Sequence, residues 1–139
     1  MEATERWRRF SSARVARMAT TRSDGHPHLV PIVFAVAEET IFTCVDDKPK
    51  TTRRLRRLDN IAATGRVSVL VDHYEDDWSA LWWIRADCTA AILDPADPLA
   101  RSGLRSLAAK YPQYAGSPPP GPVVALRPTG WRSWSARQW

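Results

Sequence analysis

Only six glycines and two cysteines occur among the 139 residues, and neither kind stands where a signature would need it. There is no GxGxxG, GxxxxGK(S/T) or GxSxG word, so dinucleotide-fold, phosphate-loop and hydrolase readings lose their support. Cys44 and Cys88 form no CxxC pair and have no metal-like spacing, which fits a reducing compartment better than a disulfide framework; both are read as small core hydrophobes. Long apolar runs are missing too. The longest, Val30 to Ala37, falls far short of the roughly 18 residues that a membrane span needs, and Met1 to Phe10 is charged with no apolar signal-peptide stretch. The expectation is a cytoplasmic protein with no membrane partner. The three histidines, His26, His28 and His73, show no HxxxH or similar spacing. His73 sits beside Asp72, Glu75, Asp76 and Asp77, but carboxylates bunched in one loop are more often a solvated turn, so no metal is expected. No nucleophile pair or carboxylate pair stands out, so no catalytic side chain is assigned and the chemistry is expected from a bound cofactor.

What the chain does have is a local concentration of positive charge. Six of the ten residues from Lys48 to Arg57 are cationic, namely Lys48, Lys50, Arg53, Arg54, Arg56 and Arg57. The whole chain nets +5, so without this segment the remainder is close to neutral, and a local cluster argues for one anionic ligand rather than a generally basic surface. Arginines on the outer face of a helix are usually just solvated. Here, however, Lys48 and Lys50 precede a helical pattern and lie toward its N-terminal dipole, where phosphates bind. Basic residues interleaved with aromatics would also suit nucleic acid, but a single short patch is too little, and none is expected as a partner.

At 25% charged and 44% hydrophobic residues the balance is that of an ordinary globular protein, and 139 residues suit a single domain over 1–139. From Arg14 to Val45 the pattern predicts three strands in an antiparallel meander, turning at Ser23, Asp24 and Gly25 and again at Ala37, Glu38 and Glu39. Pro31 stands inside the second strand, His28 to Ala37. Without an N–H for the ladder it belongs at an edge, at a bulge or facing a ligand. Leu55, Leu58, Ile61 and Ala62 then recur at helical spacing over Thr51 to Ala63, with Thr51 or Thr52 as the cap. Arg66 to Asp72 alternates as a strand, an acidic loop follows, and Trp82 to Leu93 predicts a longer strand. Asp97 caps a helix that has Pro98 at its first position and ends at Pro112. Tyr114 to Pro122 is an extended connector, and Val123 to Arg127 and Trp131 to Ser135 carry the last strand signals. Of the seven tryptophans about half are expected in the core, whereas Trp78, in the polar word D-D-W-S, is expected against a planar ligand or a partner subunit.

The words R-M-A-T-T-R-S-D-G-H-P-H-L-V-P-I-V-F, D-D-K-P-K-T-T, V-S-V-L-V-D-H-Y-E-D-D-W and L-W-W-I-R, in this order, carry a resemblance. From Arg14 to Trp134 the chain resembles the pyridoxamine-phosphate-oxidase-like flavin and deazaflavin enzymes, and within them the small actinobacterial class of probable coenzyme F420-dependent oxidoreductases. The resemblance implies a mainly β fold: a split β-barrel, antiparallel and Greek-key-like, of the FMN-binding type, with two to three flanking helices. It implies a homodimer with the cofactor in a groove at the dimer interface. The ring system would lie along Val30, Pro31 and Ile32, and Lys48 and Lys50 would hold the phosphate together with Thr51 and Thr52. Arg54 and Arg57 are added for an anionic tail, and Trp78 would lie near the ring. The sequence departs from the family pattern at Cys88, where glycine is expected, and in the extra arginine-rich length before Asn60. The activity so implied is hydride transfer from coenzyme F420, or alternatively FMN, to a small unsaturated organic molecule. The other reading is a non-catalytic cofactor carrier.

Overall fold

The computed structural model describes residues 1–45, 56–119 and 121–137. A first helix, α1 (Ala3–Ser12), precedes four strands, β1 (Ala16–Thr21), β2 (Pro27–Ile32), β3 (Ala35–Ala37) and β4 (Thr40–Cys44). Helix α2 (Arg56–Thr64) leads to β5 (Arg66–His73) and β6 (Trp82–Ile92), and α3 (Pro98–Lys110) to β7 (Val123–Ser135). All strand pairs are antiparallel, in the order β2-β1-β5-β6-β7-β4-β3.

That order forces the sheet to curl. Its two edge strands, β2 and β3, are consecutive in the chain and joined only by Val33 and Phe34. Three Cα steps from Ile32 to Ala35 span at most about 11 Å, so the opposite edges of a seven-stranded sheet must meet. The result is a split barrel, mainly β, with three helices. The expected meander is corrected here, because the run from His28 to Ala37 is two strands belonging to two hairpins at opposite edges. The cause lies far away in sequence. Tyr111 places its hydroxyl against the backbone of Phe34, accepting from Phe34 N at 3.1 Å and lying 2.8 Å from Phe34 O, which takes that residue out of any ladder.

Inside the barrel pack Met18, Ile32, Phe34, Ile41, Val69, Val71, Ile84 and Leu126. A second layer, Ala35, Phe42, Cys44, Val123 and Ala125, lies under Ala100, Leu107 and Tyr111. This explains why every residue of β4 is buried: Ile41 faces the barrel interior while Phe42 and Cys44 face the second layer. The α3 layer sits close because Gly103 faces Phe42, where a Cβ would come within 2.5 Å of the ring.

Helix α1 carries no signal that the sequence reading used. It seats Phe10 in the core, 5.2 Å from the Phe34 ring and 5.3 Å from that of Trp131, and sets Trp7 edge-on to Trp131 at 5.0 Å. The two strand signals at the C-terminal end are one strand, β7, with an irregularity opposite Asp87 and Cys88. There Cys88 faces Pro128, Asp87 faces Gly130, and the extra Thr129 donates its hydroxyl to Asp87 O at 3.1 Å. Among the described residues no helix is long and apolar enough to cross a membrane.

Candidate functional site

Where the sheet edges meet, a cleft of about 240 Å³ opens, lined by Val15, Pro31, Ile32, Val33, Cys44 and Arg57. Each side arrives by a different route. Pro31 and Ile32 come from the end of β2, the sheet edge on which a proline costs no ladder bond, as its presence required. Cys44 comes from the end of β4, and the Thr43 hydroxyl donates to Val33 O at 2.8 Å, tying β4 to the β2–β3 crossing beside the cleft. Arg57, half-buried, comes from the first turn of α2. That helix is held by buried Ile61 and by a buried bond from Asn60 Nδ2 to Thr20 Oγ1 at 2.9 Å. Among the described residues the cleft is therefore an apolar surface with the Arg57 guanidinium at its side.

Of the residues expected to contact a cofactor, Pro31, Ile32 and Arg57 are brought together here. Val30 is not among the lining residues; its side chain packs against the barrel core. Lys48, Lys50, Thr51, Thr52 and Arg54 lie outside the described residues, in the segment that joins Cys44 to Arg57. Trp78 is 75% exposed and does not line the cleft. It opens a short 3-10 turn, Trp78–Ala80, capped by Asp77, whose carboxylate accepts from Ser79 N at 3.0 Å and from its hydroxyl at 2.6 Å. The register sets this turn at the same end of the β2-β1-β5 sheet as Val33, since Arg17 pairs with both Pro31 and Leu70. Val15, Val33 and Cys44 were not picked out as site residues, and only Val33, next to Pro31 and Ile32, had a neighbour that could have pointed to it.

The remaining candidates have local roles. Cys88 is buried in the barrel core, and burial pushes its thiol up to about 12, so it is an inert hydrophobe as read from the sequence. His73 pairs with Glu75 and stacks on Trp82 with ring centroids 6.3 Å apart. His28 faces the same side of β2 as Ile32, and its buried Nδ1 has no partner among the described residues. A larger depression lies elsewhere. About 650 Å³ in volume, it is on the outer face of the sheet between Arg17, Leu29, Leu70, Tyr74, Trp83 and Arg85.

The family model for pyridoxamine 5'-phosphate oxidase matches residues 3–135. The chain belongs to the pyridoxamine 5'-phosphate oxidase family. Solved members of the same fold include the conserved hypothetical protein Rv2991 from Mycobacterium tuberculosis, with a TM-score of 0.79 and 25% identity over 99% of this chain and 86% of that one. An FAD-binding protein from Mesorhizobium loti has a TM-score of 0.72 at 18% identity, over 96% and 92%. The heme storage protein HutZ from Vibrio cholerae has 0.74 at 16% identity, over 95% and 94%. No curated protein matches this sequence.

Proposed function

We propose that this member of the pyridoxamine 5'-phosphate oxidase family is an oxidoreductase that binds the deazaflavin coenzyme F420 in the seam cleft and serves hydride transfer to a small unsaturated organic substrate. The observation that carries the reading is the cleft itself, an apolar wall of Val15, Pro31, Ile32 and Val33 meeting the Arg57 guanidinium. These residues fit the group, because a planar ring system wants apolar contact along its faces and a phosphate wants a guanidinium beside it. When bound, the cofactor supplies the hydride chemistry.

The chain's own residues bind and orient. β2 lies at the sheet edge, so one side of its backbone has no strand neighbour among the described residues, and N–H and carbonyl groups there can meet the polar edge of a ring. Pro31 packs against the ring face without contributing an unsatisfied donor. Arg57 takes a phosphate oxygen, joined by Lys48, Lys50, Thr51, Thr52 and Arg54 from the adjoining segment. Trp78, exposed and outside its own chain's cleft, is assigned to the cleft of the partner in a homodimer. Six cations in ten residues exceed what one terminal phosphate requires, which supports a cofactor with an anionic tail over FMN. FMN is the second reading, supported by the structural likeness to an FAD-binding protein.

Titration of the purified protein with each cofactor, followed by absorbance and fluorescence, tests the proposal. Coenzyme F420 is expected to bind more tightly than FMN. Replacing Lys48 and Lys50 together by alanine is expected to weaken binding by roughly tenfold to a hundredfold per lost contact, the equivalent of about 1.5 to 3 kcal/mol each. Equal affinity of wild type and double variant would overturn the assignment.

A further inference from the structure

We propose that a second site, separate from the cofactor cleft, lies between α1, the β3–β4 turn and β7, and that it takes a zwitterion with an apolar body, as a free amino acid or a short peptide presents. The cleft there is about 500 Å³, well within the size of ligand pockets, and is lined chiefly by Arg6, Trp7, Glu38, Glu39, Arg127 and Trp131. It is far from the seam along the strand that both sites touch. Thr40, which also lines it, begins β4, whereas Cys44 of the cofactor cleft ends that strand.

Two guanidiniums and two carboxylates border this one cleft, yet among the described residues none of the four forms an ion pair. Arg6 lies over the Trp131 ring at 4.8 Å, and its Nε is buried with no hydrogen-bond partner. Glu38 and Glu39 occupy a turn with two successive left-handed residues, φ 51° and 63°, and the pairing of Ile41 with Leu126 brings Arg127 alongside that turn. Trp7 and Trp131, edge to face at 5.0 Å, supply a rigid aromatic surface. Charges of both signs left unpaired around one cleft, with two indoles in its lining, match one ligand that carries both charges and an apolar body. A dication or a dianion would satisfy one pair of charges and be repelled by the other. The exposed Arg127 guanidinium offers the ligand's carboxylate a charge-assisted partner.

Calorimetry with L-leucine and trileucine as probes tests this, with N-acetylleucine, leucine amide and N-acetylleucine amide as controls. Saturable binding with a Kd below about 1 mM is expected for at least one of the two probes, and the tighter of the two identifies a free amino acid or a peptide as the natural class. Blocking both charges should weaken binding by about tenfold or more. Glu38→Gln with Glu39→Gln should weaken leucine amide and leave N-acetylleucine unaffected, and Arg127→Gln, on an exposed residue and so safe for folding, should do the reverse. Cofactor titration at the seam should be unchanged in both variants, so this result stands or falls apart from the cofactor reading. Absence of heat from both probes up to about 10 mM, or equal affinity for the doubly blocked ligand, would overturn the proposal.

Discussion

Two adjacent residues at the end of α3, Lys110 and Tyr111, hold more of the fold together than their place in the sequence suggests. The Tyr111 hydroxyl reaches the backbone of both Phe34 and Arg14, its single proton serving Phe34 O at 2.8 Å or Arg14 O at 3.0 Å. Lys110 Nζ donates to Ala13 O at 2.7 Å and lies 3.8 Å from the centroid of the Phe34 ring. Together they fasten α3 to the linker after α1 and to the β2–β3 crossing. Burial, helped by the nearby charge of Arg14, brings the Lys110 amine down to about 8 from 10.5. Because the folded-state value is the lower one, the unfolded chain holds a proton between about pH 8 and 10.5 that the folded chain has lost. Stability from this group therefore rises with pH across that window. The buried Cys88 thiol works in the opposite direction, its contribution fading as pH rises from about 9 to 12. Lys110→Met isolates the first effect, since Cys88 is common to both proteins. Urea unfolding near pH 7.5 and near pH 10 should show wild type gaining on the variant at the higher pH. An unchanged difference would mean that the amine keeps an ordinary affinity for its proton.

At the scale of elements, the β3–β4 hairpin departs furthest from what local preference favours. Two successive left-handed residues in a two-residue turn normally call for Asn-Gly, and this chain has Glu38 and Glu39 there. A left-handed backbone costs a residue with a Cβ about 1 to 2 kcal/mol. Replacing Glu38→Asn with Glu39→Gly should therefore raise stability by about 1 to 2 kcal/mol, read as a higher urea midpoint with an unchanged slope. No gain would show that the glutamates are stabilised by something their exposure conceals. Other elements were legible because their signals are local. Asp97 caps α3 as its spacing with Pro98 required, accepting from Leu99 N at 2.9 Å, and Gly25 sits at φ 84° in the first hairpin. The break between β2 and β3 was not legible, because nothing within L-V-P-I-V-F marks it; the group that makes it, Tyr111, lies 77 residues away. The same reason divides the site. Pro31 could be singled out from its place inside a strand and Arg57 from the charge cluster, Ile32 was named only through the family resemblance, and Val15 and Cys44 join them only through the closure of the barrel.

For the molecule as a whole, one surface is out of keeping with a solitary subunit. Of the six large hydrophobics among the described residues that are more than a third exposed, Leu29 at 67%, Tyr74 at 65%, Trp78 at 75% and Trp134 at 43% stand on the outer side of the sheet or on the loop between β5 and β6. The pairing sets Trp83 beside Trp134 and Arg85 beside Arg132, while Asp72 and Asp87 lie on the same face. Within one subunit Arg85 meets Asp87 at 3.3 Å and Arg17 meets Asp72 at 3.4 Å, while Arg132, opposite Arg85, has no ion pair among the described residues, so a carboxylate of a second copy turned through a two-fold axis would complement it. A face carrying both signs of charge around an apolar strip is complementary to itself. We therefore expect a homodimer that buries this face, with roughly 800 Å² needed from each subunit for a stable interface. Sedimentation at micromolar concentration should show the dimer. Leu29→Glu, which changes a side chain already 67% exposed, should shift it toward monomer without loss of the far-ultraviolet signature of the fold. Cofactor affinity should fall in the same variant, because the proposed cleft draws Trp78 from the other subunit. A wild-type monomer at these concentrations with cofactor binding undiminished would refute both the interface and the shared cleft.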